Sequence, residues 1–580
     1  MATTAEKHSL DTVQNILPAT KQRKLDEVKE TMDMDDHMYD IQVKLYSDAK
    51  AARKDPKQSL EEFEDEFYED INSFAYSKHP AHKLGWTEDA GVCNGKLIRR
   101  DRMRPAFHQE IEDPSEETSL MGFDLFDRYG RLKPEFKDHP IKKGSGIWGK
   151  ELNYGDILLI EKIQVQKSHR RHGLGSKLVT AILEKTCNNT ESFVAITRPA
   201  SLVSETEREI SGVTNQERRA IIDRENRIAI LFWRSMGFRR IGSSDWFALA
   251  GARSHPCHTL PAADDYDPPA AAPRTKFPDI KPLFKSLKKL EDTECLKVLQ
   301  DTLQNHASGE PQWAATDRGG NTLLHTAGLN SKPECVKWIM HECQQLAQVR
   351  NHEGYTPLEA LQSHLERVRT QYTIMDIVQP ISDEFSGFSD AFVACSALLR
   401  GQTDVQRDEL LRLKYGCTCG ECISGFLSPR MHLVLLTLAE KIQHDMFLDK
   451  QDVKSNNDLT MRQGFMIMWD HTATCLRKKV LPTEFNVLED MRDASEWPFV
   501  TRNYLQRRRT VKAVASMLFK KAMDQDKWSG DGEFSEVFGD EVKELPKCRN
   551  DHEFGFVSGM CGYKRVSQNR FAVPFTGEDD

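Results

Sequence analysis

Residues 1–85 are polar and charged, and Glu61–Asp70 (EEFEDEFYED) is an acidic run carrying three aromatics. A solvated, partly disordered acidic tail is expected there, or an acidic aromatic segment that docks on a basic surface of its own chain. From residue 90 the pattern changes. Short strand-like runs cover Gly95–Met103, Thr118–Phe126 and Ile157–Gln166. The last alternates and is rich in Ile, Leu and Val, so it predicts a buried strand. A basic turn at Lys167–Gly175 follows. Leu178, Val179, Ile182 and Leu183 then recur at helical spacing. Ser192–Thr197 reads as another strand, ended by Arg198-Pro199. Glu205–Arg227 predicts a charged, partly helical stretch, and Ile228–Met236 continues the helix until Gly237. Ile241–Leu249 reads as a closing strand. Alternating strands and helices predict an α/β or α+β domain over residues 90–252.

Residues 253–283 are rich in proline and small residues and predict a linker or a surface-draped loop. Beyond them apolar residues fall at helical spacing almost throughout. Two segments repeat: DRGGNTLLHTA at Asp317–Ala327 and NHEGYTPLEA at Asn351–Ala360. Thr322 and Thr356 lie 34 positions apart, close to an ankyrin period of about 33 residues. The glycines suit a tight turn, and each threonine can bond the backbone at a helix start. These segments resemble ankyrin repeats, with Phe284–Asn305 as a degenerate first copy. The resemblance implies an ankyrin-like array over residues 284–370, capped by neighbouring helices and recruiting a protein partner. Residues 371–580 predict a helical region, with Met431, Val434, Leu435, Leu438 and Ile442 forming one apolar stripe.

Composition narrows the classes. The chain has 580 residues, which suggests several domains. Its 80 basic and 89 acidic residues give a net charge of −9, so whole-chain binding to nucleic acid is not expected. The longest apolar run of the C-terminal half, Leu433–Ala439, is far shorter than a membrane span of about 20 residues. No membrane partner is expected. The first residues, MATTAEKHSLDTVQ, carry no apolar core of a signal peptide. Thirteen cysteines are too sparse for a disulfide scaffold, so an intracellular protein of the cytoplasm or nucleus, with mostly reduced thiols, is expected.

Two features carry candidate chemistry. The first is Arg170-Arg171-His172-Gly173-Leu174-Gly175, between a predicted strand and a predicted helix. Glycines let backbone approach a ligand closely, and a helix start offers unpaired N–H groups at its positive end. Such a turn suits a phosphate or pyrophosphate, and Lys167, His169, Arg170, Arg171 and His172 add positive potential. Downstream, Asn226, Ala229, Phe232, Trp233, Gly237 and Phe238 form N-x-x-A-x-x-F-W-x-x-x-G-F.

Together, and in this order, these motifs resemble those of the GNAT acetyltransferases, over roughly residues 90–250. The resemblance implies a mixed central sheet flanked by helices and acetyl-CoA as acyl donor. It implies that backbone amides of Arg171, His172, Gly173, Leu174, Gly175 and Ser176 hold the pyrophosphate, with the Arg170 side chain bracing the loop. Ile163 and Val165, at the strand end with Gln166, would pair with the pantetheine arm, and Asn226 and Trp233 would lie along it. Glu161, on the central strand, would serve as the base that deprotonates an amine acceptor. Burial beside apolar neighbours would raise its pKa toward a useful value. Many family members carry a tyrosine at the position of Trp233, as acid for the leaving thiolate, and tryptophan has no such proton. A non-catalytic interaction scaffold with a degenerate or coenzyme-sensing GNAT domain is therefore the second reading. The stretch Arg198–Ile222 is longer than the family's usual connection, and the resemblance implies that it covers the acceptor site.

The second feature is Cys417, Cys419 and Cys422, in C-T-C-G-E-C. Thiolates so spaced suit zinc, which takes four nitrogen or sulfur ligands. A fourth ligand could be His432, Cys475, Cys548, His552 or Cys561. Buried structural thiols and redox-active thiols are the other readings. The surrounding Lys414–Met431 resembles a segment of ankyrin-containing proteins of filamentous fungi.

Overall fold

The computed structural model describes residues 28–34, 37–47, 67–78, 88–103, 106–268, 280–303, 310–374, 377–380, 385–402, 404–448, 456–493, 504–505 and 510–563. The chain divides into two compact units, Met1–Ala270 and Ala271–Asp580. Each has its own apolar core.

The first unit is built on one eight-stranded sheet of order β1-β2-β3-β4-β5-β6-β8-β7. The strands are β1 (Val28–Met34), β2 (His37–Ser47), β3 (Tyr68–Lys78), β4 (Glu88–Ile98), β5 (Asp156–Val165), β6 (Phe193–Thr197), β7 (Arg239–Arg240) and β8 (Phe247–Ala250). Strands β1 to β5 run antiparallel to their neighbours, β5 and β6 are parallel, and β6, β8 and β7 are antiparallel again. This mixed sheet with flanking helices is the α+β layout the alternating pattern predicts.

The expected acidic tail over residues 1–85 is corrected where it is described. Its segments 28–34, 37–47 and 68–78 are sheet strands, and Tyr39, Ile41, Val43 and Ile71 are core residues. In the 37–47 segment the alternation is visible once Asp40 and Lys44 are assigned to the outer face. Asp70 and Lys96 pair across strands β3 and β4 at 2.7 Å, and Arg99 pairs with Glu69 at 2.8 Å and Asp156 at 2.6 Å. The acidic run is thus partly a strand with basic partners. Its residues 61–66, like residues 1–14, lie outside the described residues.

Thr118–Phe126, expected as a strand, is a helix. Here α1 (Phe107–Glu112) is followed by α2 (Glu116–Leu125), which Ser115 starts with a reciprocal cap to Thr118. The capping chemistry outweighs the short apolar run. Gly95–Met103 is strand only to Ile98, and a helical turn follows at Arg100–Met103. Ile157, Leu158, Leu159 and Ile160 of β5 are all buried, as in a central strand covered on both faces. Helix α3 (Leu174–Cys187) lays Leu174, Leu178, Val179, Ile182 and Leu183 against β2 to β5. Next come α4 (Val203–Ile210) and α5 (Asn215–Ser235). The expected closing strand is shorter than predicted, because a turn intervenes between β7 and β8.

The first part of the expected linker belongs to this unit. Arg234 donates to Asp265 at 2.8 Å and to Asp267 at 2.8 Å, and Arg239 donates to the Leu260 carbonyl at 2.9 Å. Residues 253–267 are therefore fastened to the domain, and residues 269–279 lie outside the described residues.

The second unit is largely helical. It comprises α6 (Lys281–Lys289), α7 (Asp292–Leu303), α8 (Leu323–Leu329), α9 (Pro333–Glu342), α10 (Pro357–Thr370), α11 (Asp390–Leu399), α12 (Arg407–Lys414), α13 (Pro429–Leu448), α14 (Asn456–Arg477), α15 (Glu484–Asp493), α16 (Val511–Asp524), α17 (Glu533–Glu544) and α18 (Phe554–Met560). A short hairpin, β9 (Gln371–Ile374) with β10 (Ile377–Pro380), interrupts the helical run expected after residue 370.

The repeated segments open helices as their threonines predict. Thr322 caps α8 and accepts from the His325 N–H, and Thr356 accepts from the Glu359 N–H at 3.3 Å. His325 Nε2 bonds the Tyr355 carbonyl at 2.9 Å, which ties the first segment to the second. Asn351 Nδ2 likewise donates to Asn321 Oδ1 at 2.9 Å.

Candidate functional site

In the first unit, β5 and β6 part company. Their parallel pairing runs from Asp156↔Phe193 to Ile160↔Thr197 and stops. The cause is local. Thr197 Oγ1 donates to the Ile160 carbonyl at 2.9 Å, ending the ladder with a side chain. Arg198-Pro199 follows, and Pro199 has no N–H to continue it. On its other side β5 stays paired with β4 as far as Gly91↔Val165. The β6-facing edge of Glu161–Val165 therefore has no strand partner among the described residues, and Ile163 and Val165 are half-buried there.

The basic turn lies directly beyond this open edge. Arg171 has φ 71° and Gly173, which precedes α3, has φ 76°. A side-chain residue in that region costs about 1 kcal/mol, so Arg171 is held there by its surroundings. Arg170 Nε donates to the Val165 carbonyl at 2.9 Å, which braces the turn against the strand end. No side chain caps α3, so the N–H groups of Leu174, Gly175 and Ser176 have no intrahelical acceptor. Arg171 and Gly173 are exposed, and His172 is half-exposed. Phe232 of α5 and Ile163 line the Gly175 backbone: a Cβ there would sit 3.5 Å and 3.6 Å from them, at ordinary contact. His169 is buried, and Tyr39 Oη of β2 lies 3.1 Å from its Nδ1. The first strands of the chain thus reach the turn.

Glu161 occupies a bulge. Register shifts between Asn94↔Lys162 and Gly95↔Ile160, which leaves Glu161 with no opposite residue. Gly95 permits the close approach, since a Cβ there would come 2.9 Å from the Leu159 carbonyl. Ser115 Oγ donates to Glu161 Oε1 at 2.6 Å. Burial pushes the Glu161 carboxyl up, against the Ser115 hydrogen bond and Lys96, which favour its charge. Asn94 Oδ1, beside the bulge, is buried without a hydrogen-bond partner.

Two sequence-predicted residues are engaged with the protein itself. Trp233 is 4 % exposed and packs edge-on against Phe232 and Phe238, so it is a core residue. Asn226 Oδ1 accepts from the Ser201 N–H at 2.9 Å and pins the chain after β6. Phe232 and Ser115 went unpredicted. Phe232 stands one place before Trp233 in the motif, and Ser115 carried no signal beyond its cap position.

In the second unit, Cys417, Cys419, Cys422 and Cys548 converge, with all four sulfurs within 4.8 Å of one another. Neighbouring sulfurs are 3.7 Å (Cys417–Cys419), 3.8 Å (Cys419–Cys422) and 3.5 Å (Cys422–Cys548) apart. Disulfide sulfurs sit about 2.05 Å apart, so these are four free thiols. Polar hydrogens point at them. Thr418 N–H reaches Cys548 at 3.5 Å, Glu421 N–H reaches Cys419 at 3.4 Å, and Asn550 Nδ2 reaches Cys422 at 3.7 Å. Hydrogen bonds from Cys417 and Cys422, then from the Asn550 and Thr418 backbone, hold the Cys548 thiol low despite burial. The cluster can hold a metal ion.

Of the candidate fourth ligands, Cys548 is the one present. His432 bonds the Leu476 carbonyl, His552 pairs with Asp526, and Cys475 and Cys561 lie in the helical core.

No known protein family matches the chain, and neither a curated protein nor a solved structure is similar to it. No described helix is long and apolar enough to cross a membrane.

Proposed function

We propose that the first unit is an acyl-CoA-dependent N-acetyltransferase of the GNAT type. The observation that carries this reading is the open edge of Glu161–Val165, running straight into the left-handed turn and the uncapped start of α3. Such an edge offers backbone groups to the amides of a pantetheine arm. The turn offers N–H groups and positive charge to a pyrophosphate. Residues Arg171 to Ser176 would hold the phosphates, with Arg170 bracing them. Ile163 and Val165 would line the arm, with Phe232, beside Gly175, and Asn226 next to it. Glu161, raised by burial at its bulge, accepts the proton of the incoming ammonium, and the amine attacks the thioester carbonyl. A β5 N–H facing the open edge would steady the oxyanion. The coenzyme supplies the activated acetyl group.

One observation favours binding without turnover. Trp233 is buried and has no dissociable proton to give the leaving thiolate, which must then take one from water. Thiol-release assays with protein, peptide and polyamine amines decide between the two. Coenzyme release that saturates with one acceptor class supports the transferase. Binding with no release for any acceptor supports the scaffold.

For the cysteine cluster we propose Zn²⁺. A zinc–sulfur bond of about 2.3 Å places tetrahedral sulfurs about 3.8 Å apart, close to the spacing of Cys417, Cys419, Cys422 and Cys548. Four protein ligands leave no open position for a substrate, so the role is structural. The repeated segments are proposed to be ankyrin-like and to present a protein-binding face.

A further inference from the structure

The surroundings of the cysteine cluster say what a bound metal would hold together. Cys417–Cys422 and Cys548 lie more than 120 positions apart, in chain that is neither helix nor strand. Short loops of this kind rarely keep buried polar groups in register without a crosslink. Yet the residues next to Cys548 are seated on one helix. Arg549 Nη1 donates to the Gln362 carbonyl at 3.4 Å, and Arg549 Nε lies 3.3 Å from Glu366 Oε2. Arg369 Nη1 donates to Asn550 Oδ1 at 2.7 Å, and Arg369 lies 3.5 Å from Glu553. Gln362, Glu366 and Arg369 are spaced at i, i+4 and i+7, which is one face of α10, the last helix of the repeated segments. Asn550 also reaches the cluster itself, through Cys422 Sγ at 3.7 Å, and the Gly425 carbonyl at 3.3 Å. From the other side, a Cβ on Gly416, next to Cys417, would stand 3.4 Å from Arg369 Nη1. Arg369 is 1 % exposed, so its charge is sealed where this face of α10 meets the cluster loops.

We propose that the four-cysteine centre is a metal-dependent cap on the repeat helices: the bound ion fixes Arg549 and Asn550 against Gln362, Glu366 and Arg369. The inference rests on the zinc reading. Stacked helical repeats need such a cap, because the last helix otherwise exposes a face that the next repeat would cover. On binding, each ligating thiol gives its proton to solvent, and four metal–sulfur bonds join the two loops. Without the ion, the two loops meet through thiol contacts and hydrogen bonds such as Arg549 N–H to Thr418 Oγ1 at 2.9 Å. Asn550 is the positioning residue, since it bonds a ligand sulfur and α10 at once.

The test uses the full chain, purified with reductant, with its metal content measured. Amide hydrogen exchange is followed before and after chelation and after return of Zn²⁺. One zinc per chain is expected. Stripping should speed exchange about tenfold or more at 417–425, 548–553 and 357–370, and zinc should restore all three. Exchange that changes only around the cysteines, with 357–370 unaffected, overturns the cap while leaving the zinc site. No bound metal, and none taken up, overturns both. If stripping unfolds all of residues 281–563, Asn550→Ala decides, because it keeps all four sulfurs. It should retain one zinc at about 10–100-fold weaker affinity, and α10 should exchange freely with zinc bound. Full protection of α10 in zinc-loaded Asn550→Ala overturns the proposal.

Discussion

Gly173 is where the proposed phosphate cradle is easiest to break without breaking the fold. It is exposed, has φ 76° and ψ 1°, and stands immediately before the 14-residue helix α3. Replacement by Asp places a carboxylate where a pyrophosphate would sit. Asp and Asn tolerate the left-handed conformation better than other side chains, so both should fold. They have nearly the same shape, so the difference between them isolates charge. At about 5 Å from one phosphate charge, a carboxylate repels by roughly 3 kcal/mol at an effective dielectric constant of 20 and roughly 0.8 kcal/mol in bulk water. Between these limits the acetyl-CoA dissociation constant should rise about 4- to 150-fold in Gly173→Asp relative to Gly173→Asn. Calorimetric titration measures both. The gap should shrink as salt is raised, since the turn is solvent-facing. Equal affinities for Asp and Asn at low salt would refute the cradle.

Other outcomes follow from the same structure. Glu161→Gln should lower kcat about 10²- to 10⁴-fold with acetyl-CoA affinity unchanged, measured by thiol release. Ser115→Ala removes a hydrogen bond that favours the Glu161 carboxylate, so the acid limb of kcat/KM should move to higher pH. Asp265→Ala strips a fully buried carboxylate from Arg234 and Arg240, and denaturant unfolding should show a loss of about 3–5 kcal/mol. Asp267→Ala, whose carboxylate is 61 % exposed, should cost under about 1 kcal/mol. His108 is buried and its pKa is pushed down to about 4, chiefly by desolvation, from an ordinary 6.5. The unfolded chain binds that proton first, so stability should fall between pH 6.5 and 4, by up to about 3 kcal/mol. His108→Gln should flatten that part of the pH curve.

Much of this was legible in the residues. The Ile157–Val165 strand, the helix at Leu178–Leu183 and the Gly237 stop all follow from periodicity and from glycine placement. The threonine caps at 322 and 356 follow from repeat spacing. What periodicity missed has physical causes. Strand β2 carries Asp40 and Lys44 on one face and buries Tyr39, Ile41 and Val43 on the other, so its composition mimics a solvated tail. Thr118–Phe126 has an apolar run that suits either element, and the Ser115 cap decides for helix. In the candidate site, the turn and Glu161 were readable because each motif is local. Ser115, Tyr39 and Phe232 enter from strands and helices distant in sequence, which no spacing rule joins. The same holds for Cys548. Three thiols in six residues announce a cluster, but the fourth comes from 126 positions beyond Cys422 and could be told from its rivals only by geometry.

The central claim is that the open β5 edge and the turn before α3 form a coenzyme site. Calorimetric titration of the purified full chain with acetyl-CoA tests it most directly. The account predicts saturable binding at one molecule per chain, weakened in Gly173→Asp and kept in Glu161→Gln. Absence of any acetyl-CoA or CoA binding by a folded wild-type chain would contradict it.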